Sequence, residues 1–93
     1  MMTTKPSQSL RNIGPVSWRM LERARLSDVD AVRRAGAVGA YVAVLDREEK
    51  GVSLNLLYAL AAGLRDCSWL DVDEDEKGRL KREVEDLRDA VFR

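Results

Sequence analysis

The chain has 93 residues, 45% of them hydrophobic and 34% charged, which suits a single domain with one core under an ionic surface. Sixteen basic and sixteen acidic residues cancel, so the chain as a whole carries no field that would draw in a polyanion. A single cysteine, Cys67, excludes an intramolecular disulfide, and the lack of histidine excludes Cys/His zinc clusters and any mechanism with a histidine base.

The charge is unevenly spread. Residues 1–36 hold seven basic against three acidic side chains, and the remainder holds nine against thirteen. Such a split gives either a basic face and an acidic face or two halves that pair internally. No apolar run approaches the ~20 residues of a membrane span, and the N-terminus lacks a signal-peptide core, so the expected location is cytoplasmic, with no membrane partner. Aromatic content is 5%, while the helix formers Ala, Leu, Arg and Glu dominate, which favours an all-α chain. Cys67 reads as an ordinary thiol near a helix end.

Residues 1–6 read as a loose leader, with a single domain over 7–93. Ser7 can cap a short helical turn that points Leu10 and Ile13 inward. Gly14 and Pro15 break it, and Pro15 suits the first position of a new helix running to about Arg25. Trp18 and Leu21, with Met20 and Ala24 beside them, make its inner face. Ser27 is the expected cap of the next helix, with Val29 and Val32 inward and Gly36 as its C-terminal stop. Another helix is expected from about Ala37 to Arg47, carrying Val38, Tyr41, Val42 and Leu45 at helical spacing.

After a charged turn over 46–51, Ser53 caps the most apolar segment. Leu54, Leu57, Leu60 and Leu64 form one side of it, and Leu56 and Tyr58 extend that side, so this helix is expected at the centre. Asn55 reads as a satisfied polar group of the core or cap region. Trp69 and Leu70 are expected to fold back onto the core. A last helix begins in the acidic run Asp73 to Glu76 and reaches about Val91, with Leu80, Val84, Leu87 and Val91 as its stripe. Its charged side reads as a solvated face. The expected architecture is a compact all-α bundle of five to six short helices.

The chemically informative stretch is Leu10 to Ser17. A helical turn, a tight turn at Gly14 and a second helix would present backbone N–H groups at a helix N-terminus, where free amides and the helix dipole favour a phosphate. Gly14 allows close approach, Val16 and Ser17 offer main-chain amides, and the Ser17 hydroxyl can add a donor. Arg11, Arg19 and Arg23 could reach neighbouring phosphates, Arg19 and Arg23 being four apart on one face. Contacts of this kind position a protein on nucleic acid without reading sequence. A second reading treats the Gly-Pro turn as a helix breaker that only lets two helices pack, in a module for a protein partner or a homodimer.

The stretch resembles the hairpin of helix-hairpin-helix DNA-binding domains. Asn12 stands where a glycine is usual and tolerates positive φ, and Val16 stands where a lysine often meets the phosphate. A wider resemblance rests on Leu-Arg-Asn-Ile-Gly-Pro at 10–15, Ala-Gly-Ala-Val-Gly-Ala-Tyr at 35–41, Val-Ser-Leu-Asn-Leu-Leu-Tyr-Ala-Leu at 52–60 and Trp69. In these the chain is similar to the C-terminal domain of TfoX-type competence regulators. That resemblance implies a bacterial, helix-hairpin-helix-like domain connected with natural competence and transcriptional control.

Enzymatic chemistry has little to work with. The carboxylates of Asp71, Asp73, Glu74, Asp75 and Glu76 lack the turn glycine of a calcium loop. Ser17, Ser53 and Ser68 have no neighbouring base to mark a nucleophile. The expectation is a non-enzymatic chain with no catalytic residue, metal, cofactor or small-molecule substrate.

Overall fold

A computed structural model describes residues 10–48 and 52–91 of the chain. Among these residues the architecture is all-helical: α1 (Pro15–Arg23), α2 (Val29–Arg47), α3 (Leu54–Leu64), a 3-10 turn (Trp69–Asp71) and α4 (Glu74–Val91). The leader, the Ser7 cap and residues 49–51 of the charged turn fall outside them, as does the side chain of Val91.

The expected five to six helices are thus four α-helices and one short turn among the described residues. Gly36, expected to stop one helix before the next, does interrupt α2: its backbone has φ 78° and ψ 166°, far from helical values, and two helical stretches meet there across a kink. Asp28, not Ser27, caps α2, its carboxylate accepting the Ala31 amide at 2.8 Å. Carboxylates are favoured there because they satisfy free donors at the positive end of the helix dipole.

α1 ends at Arg23 rather than Arg25, because Arg25 turns left-handed (φ 67°). The Leu26 amide then reaches back to the Leu21 carbonyl (2.8 Å) and the Arg25 amide to that of Glu22 (2.9 Å). α3 closes in the same way: Asp66 is left-handed (φ 57°), Cys67 donates to Ala62 and Asp66 donates to Gly63, both at 3.0 Å. Both are Schellman turns, which satisfy the last carbonyls of a helix.

α3 is central, as its composition requires, but its buried side is not the expected leucine stripe. Leu56, Leu57, Tyr58, Leu60, Ala61, Ala62 and Gly63 are buried, whereas Leu54 is exposed and Leu64 half-buried. Neighbours cover the helix on more than one side: α2 and α4 pack on it, and the N-terminal turn lies across its C-terminal end. Leu21 of α1, Val32 and Val44 of α2, and Leu57 and Leu60 of α3 are the large side chains fully withdrawn from solvent. Leu80 and Val84 bring α4 onto this core, with Leu87 half-buried beyond them. The Lys77 ammonium lies 5.3 Å from the centre of the Tyr58 ring, a cation–π contact between α4 and α3. Trp69 and Leu70 do not return to the core. The 3-10 turn carries them outward, and they are 42% and 75% exposed.

Gly63 marks the closest approach in the fold. A Cβ there would collide with the Arg11 carbonyl oxygen and lie 3.2 Å from the Leu10 side chain. Gly63→Ala should therefore destabilise the chain by about 1–3 kcal/mol through overpacking against backbone that cannot yield. Gly36→Ala should cost a similar ~1–3 kcal/mol through its positive φ. Gly78→Ala, inside α4 with open space around the new methyl, should instead stabilise by about 0.4–1 kcal/mol. Urea unfolding followed by circular dichroism checks all three, and an unshifted midpoint for Gly63→Ala would refute the close approach.

Candidate functional site

The segment entering α1 is fixed by a side chain whose position sequence alone marked only for its backbone. Asn12 adopts φ 74°, the left-handed conformation that asparagine tolerates better than most residues. The Ile13 amide closes the turn onto the Leu10 carbonyl at 3.1 Å. From that turn the Asn12 amide nitrogen donates to the Cys67 carbonyl (2.9 Å), while its side-chain oxygen accepts the Trp69 amide at 3.4 Å. Arg11 donates to the Asp66 carbonyl at 3.1 Å. The entry to α1 is thereby tied to the turn that ends α3, 55 residues further along the chain.

Gly14 then acts as the N-cap of α1 in an extended conformation (φ −90°, ψ −176°), with no side chain capping the helix. That conformation is open to any residue, and a Cβ at Gly14 would touch nothing within 4 Å. Neither backbone strain nor packing demands glycine here, and its effect is to leave the approach to the helix end clear. Pro15 lacks an amide, and the helical ladder begins with Trp18 donating to Gly14 at 2.9 Å. The Val16 and Ser17 amides thus belong to the first turn of a helix without a side-chain cap, where donors have no partner within the helix.

The remaining residues expected at this site divide. The Val16 side chain is 63% exposed, and Arg19 is exposed with no ion pair among the described residues. Arg23 is engaged in a bidentate pair with Glu48, at 2.9 Å (Nε to Oε2) and 3.0 Å (Nη2 to Oε1). The hydrogen bond to Arg23 holds the Glu48 carboxyl below its ordinary pKa of 4.5, and the same bond raises the Arg23 guanidinium. Arg11, Gly14, Val16 and Ser17 are consecutive or nearly so at the start of α1, and Arg19 follows within the same helix. Arg23 lies at its far end, already partnered.

Beside Ser17 opens a cavity of about 390 Å³, lined by Asn12, Ser17, Met20, Val52, Ser53, Asn55, Leu56, Ala59 and Trp69. Its apolar lining comes from Met20, Val52, Leu56, Ala59 and Trp69, and its other lining residues, Asn12, Ser17, Ser53 and Asn55, are neutral. Each wall is held from behind. Asn12 pins Trp69, as above. Tyr41 donates to the Val52 carbonyl at 2.8 Å, and burial raises the phenol above its usual pKa, so it remains a donor at neutral pH. The Arg23–Glu48 pair clasps α1 to the end of α2, close in sequence to Val52. The Ser53 hydroxyl accepts the Asn55 amide at 3.0 Å and so fixes the start of α3.

Asn55 lies in the cap region of α3, as expected, with its amide on the Ser53 hydroxyl, and is exposed at the cavity wall, whereas Trp69, expected in the core, lines the cavity while exposed. The serine cap before Asn55 gave a usable signal for its exposure. Nothing local distinguished Trp69 from a core aromatic. Among the described residues no three Asp, Glu, Cys or His side chains are placed to hold a metal ion, and no helix is long and apolar enough to cross a membrane.

The Arg23–Glu48 clasp has a pH signature. The folded-state pKa of Glu48 is depressed, so its stabilising contribution is full above the unfolded value near 4.5 and disappears as pH falls through the lower folded value. In a carbon-detected NMR titration Glu48 should titrate below the ordinary glutamate value of 4.5, and Arg23→Gln should return it to that value. A Glu48 that titrates at the ordinary value in the parent chain would show that the pair does not persist in solution.

No curated protein and no solved structure gives a significant match to the chain. A protein-family model described as the TfoX C-terminal domain matches residues 5–84. The matched range takes in the Asn12 turn, α1, α2, α3, the 3-10 turn with Trp69 and the buried part of α4. With most of its length covered, the chain belongs to the TfoX C-terminal domain family.

Proposed function

We propose that this chain is a non-catalytic regulatory domain of competence-regulator type that binds the DNA backbone through the N-terminus of α1 without reading base sequence. Membership in the TfoX C-terminal domain family supports the competence-regulator part of this reading. The observation that carries the DNA part is the left-handed turn at Asn12 leading into an uncapped helix end at Gly14. In this reading residues 10–17 act as a helix-hairpin-helix-like turn.

One backbone phosphate sits against the Val16 and Ser17 amides, where free donors and the helix dipole both favour it. Gly14 leaves room for its approach, and the Ser17 hydroxyl adds a donor. Arg11 and Arg19 reach the flanking phosphates. Arg23 joins only by exchanging the Glu48 carboxylate for a phosphate. Val16 supplies an amide but no charge, so few cations are engaged and affinity is modest and salt-dependent.

Fluorescence anisotropy of a labelled duplex, titrated with the chain at several salt concentrations, tests this. The logarithm of affinity should fall linearly with the logarithm of salt, with a slope of about −2 to −3 for two or three phosphate contacts. Arg11→Glu with Arg19→Glu, shown to be folded by circular dichroism, should abolish binding. Glu48→Gln, which frees Arg23, should tighten binding and steepen the slope by about one contact. Absence of binding at low salt by the folded parent chain refutes the reading.

A further inference from the structure

The cavity beside α1 has the make-up of a site for one small, flat, uncharged ring. At about 390 Å³ it lies near the lower end of the sizes in which proteins hold small molecules, with room for a single ring system rather than a long chain. No lining residue carries a charge, so nothing in the lining offsets the desolvation of an ionised ligand group. Met20, Val52, Leu56 and Ala59 supply apolar surface, and Trp69 adds an indole. That residue is 42% exposed although Asn12 holds its backbone amide. A pre-positioned aromatic face left open to solvent suits stacking, because every base has a π-face to lay on it.

The polar lining divides into spent and unspent groups. The Asn12 carboxamide is committed at both ends, to the Cys67 carbonyl and the Trp69 amide. Among the described residues the Asn55 carboxamide and the Ser17 hydroxyl have no intramolecular partner, and the Ser53 hydroxyl, which accepts the Asn55 amide, keeps its proton to donate. Asn55 thus retains donors and an acceptor on one planar group, the match for a ring edge that alternates acceptor and donor. A sugar would bring more hydroxyls than these side chains can satisfy and set the remainder against apolar groups. An alkyl chain would leave Asn55 and Ser17 without a function in binding.

We propose that this cavity binds a nucleobase, with the ring face on Trp69 and the ring edge on the Asn55 carboxamide. The base belongs to a free nucleoside or to an unpaired nucleotide of a DNA strand. A paired base inside a duplex does not enter, because its faces are stacked and its edge is occupied. Ser17 joins the cavity to the helix end, since it lines the one while its amide belongs to the first turn of the other. For a strand the proposal rests on the backbone-binding reading, with a phosphate beside the bound base meeting α1; for a free nucleoside it does not.

Nitrogen–proton correlation NMR of the full chain, titrated with adenosine and with cytidine, uses probes without phosphate and so reads the cavity apart from backbone binding. Saturable shifts should centre on the Trp69 indole N–H and the Asn55 side-chain amide. Both side chains are exposed, so Trp69→Ala and Asn55→Ala should leave the circular dichroism spectrum unchanged. The first should weaken binding by about fivefold or more and the second by about two- to tenfold, while Trp69→Phe, which keeps a ring to stack on, should retain more than Trp69→Ala. Anisotropy with a duplex carrying a single-stranded overhang, set against the same duplex with blunt ends, reads the strand. The overhang should bind more tightly, and Trp69→Ala should remove that advantage without changing blunt-duplex binding. Nucleoside shifts without an overhang advantage assign the cavity to free nucleosides, and an advantage without nucleoside shifts assigns it to a strand. Nucleoside shifts with no duplex binding refute the backbone reading alone. Absence of both effects overturns the proposal, as does binding that Trp69→Ala and Asn55→Ala leave unaltered.

Discussion

Everything around the cavity hangs on how the N-terminal turn meets the end of α3. The Arg11 carbonyl lies where a side chain at position 63 would have to be, so the approach is possible only over glycine. At that distance the turn can use the groups that a Schellman turn leaves outward. The carbonyls of Asp66 and Cys67 lie past the last helical turn, and they accept from Arg11 and Asn12 respectively. The neutral Asn12 bond contributes about 0.5–1.5 kcal/mol net, a modest amount. Its geometric effect is larger: the direction of α1, the position of Trp69 and the width of the cavity follow from one asparagine in a left-handed turn.

α2 holds the Val52 part of the cavity wall in place through Tyr41. Gly36 breaks α2 into two helical stretches that meet at a kink, so that residues before and after it serve different neighbours. Before the kink, Val29 and Val32 are buried in the core near its N-cap; after it, Ala40, Tyr41 and Val44 are buried where α2 runs on toward Val52. Tyr41 is the hinge of this arrangement, its ring 3% exposed and its hydroxyl on the Val52 carbonyl. An unpartnered hydroxyl at that depth would cost about 1–3 kcal/mol, so the core and the cavity wall depend on one another. The walls are rigid for the same reasons that the fold is stable.

Much of this was legible in the sequence where the controlling physics is local. Pro15 as the first helical residue, Ser53 as a cap and the inward positions of Leu10, Ile13 and Leu21 follow from φ preference, capping and periodicity, and the structure has them. Positive φ at Asn12 followed likewise from the likeness of its turn to one that usually holds glycine. The errors arise where tertiary packing decides. The leucine stripe of α3 is periodic, yet a central helix is covered from several directions, and its small residues Ala61, Ala62 and Gly63 are buried while Leu54 is not. Trp69 and Leu70 look like core by composition, and only their place on a three-residue turn puts them outside. Within the site, residue types pointed to the start of α1, but a cavity assembled from three distant segments has no signature along the chain.

The arginines show how fold and binding constrain one another in a TfoX C-terminal domain of zero net charge. Of the three that could face a phosphate, Arg11 is spent on the end of α3 and Arg23 on Glu48, leaving Arg19 without an intramolecular partner among the described residues. In the proposed reading, a backbone phosphate competes with a carbonyl for Arg11 and with a carboxylate for Arg23. The carbonyl is a neutral acceptor taking one bond from Arg11, whereas an ionised phosphate offers the guanidinium a full opposite charge and bidentate geometry. The Glu48 carboxylate is itself ionised and held bidentately, so its exchange gains little. What distinguishes the N-terminus of α1 is thus not abundance of charge but the pairing of uncapped amides with an arginine that gives up a weaker partner.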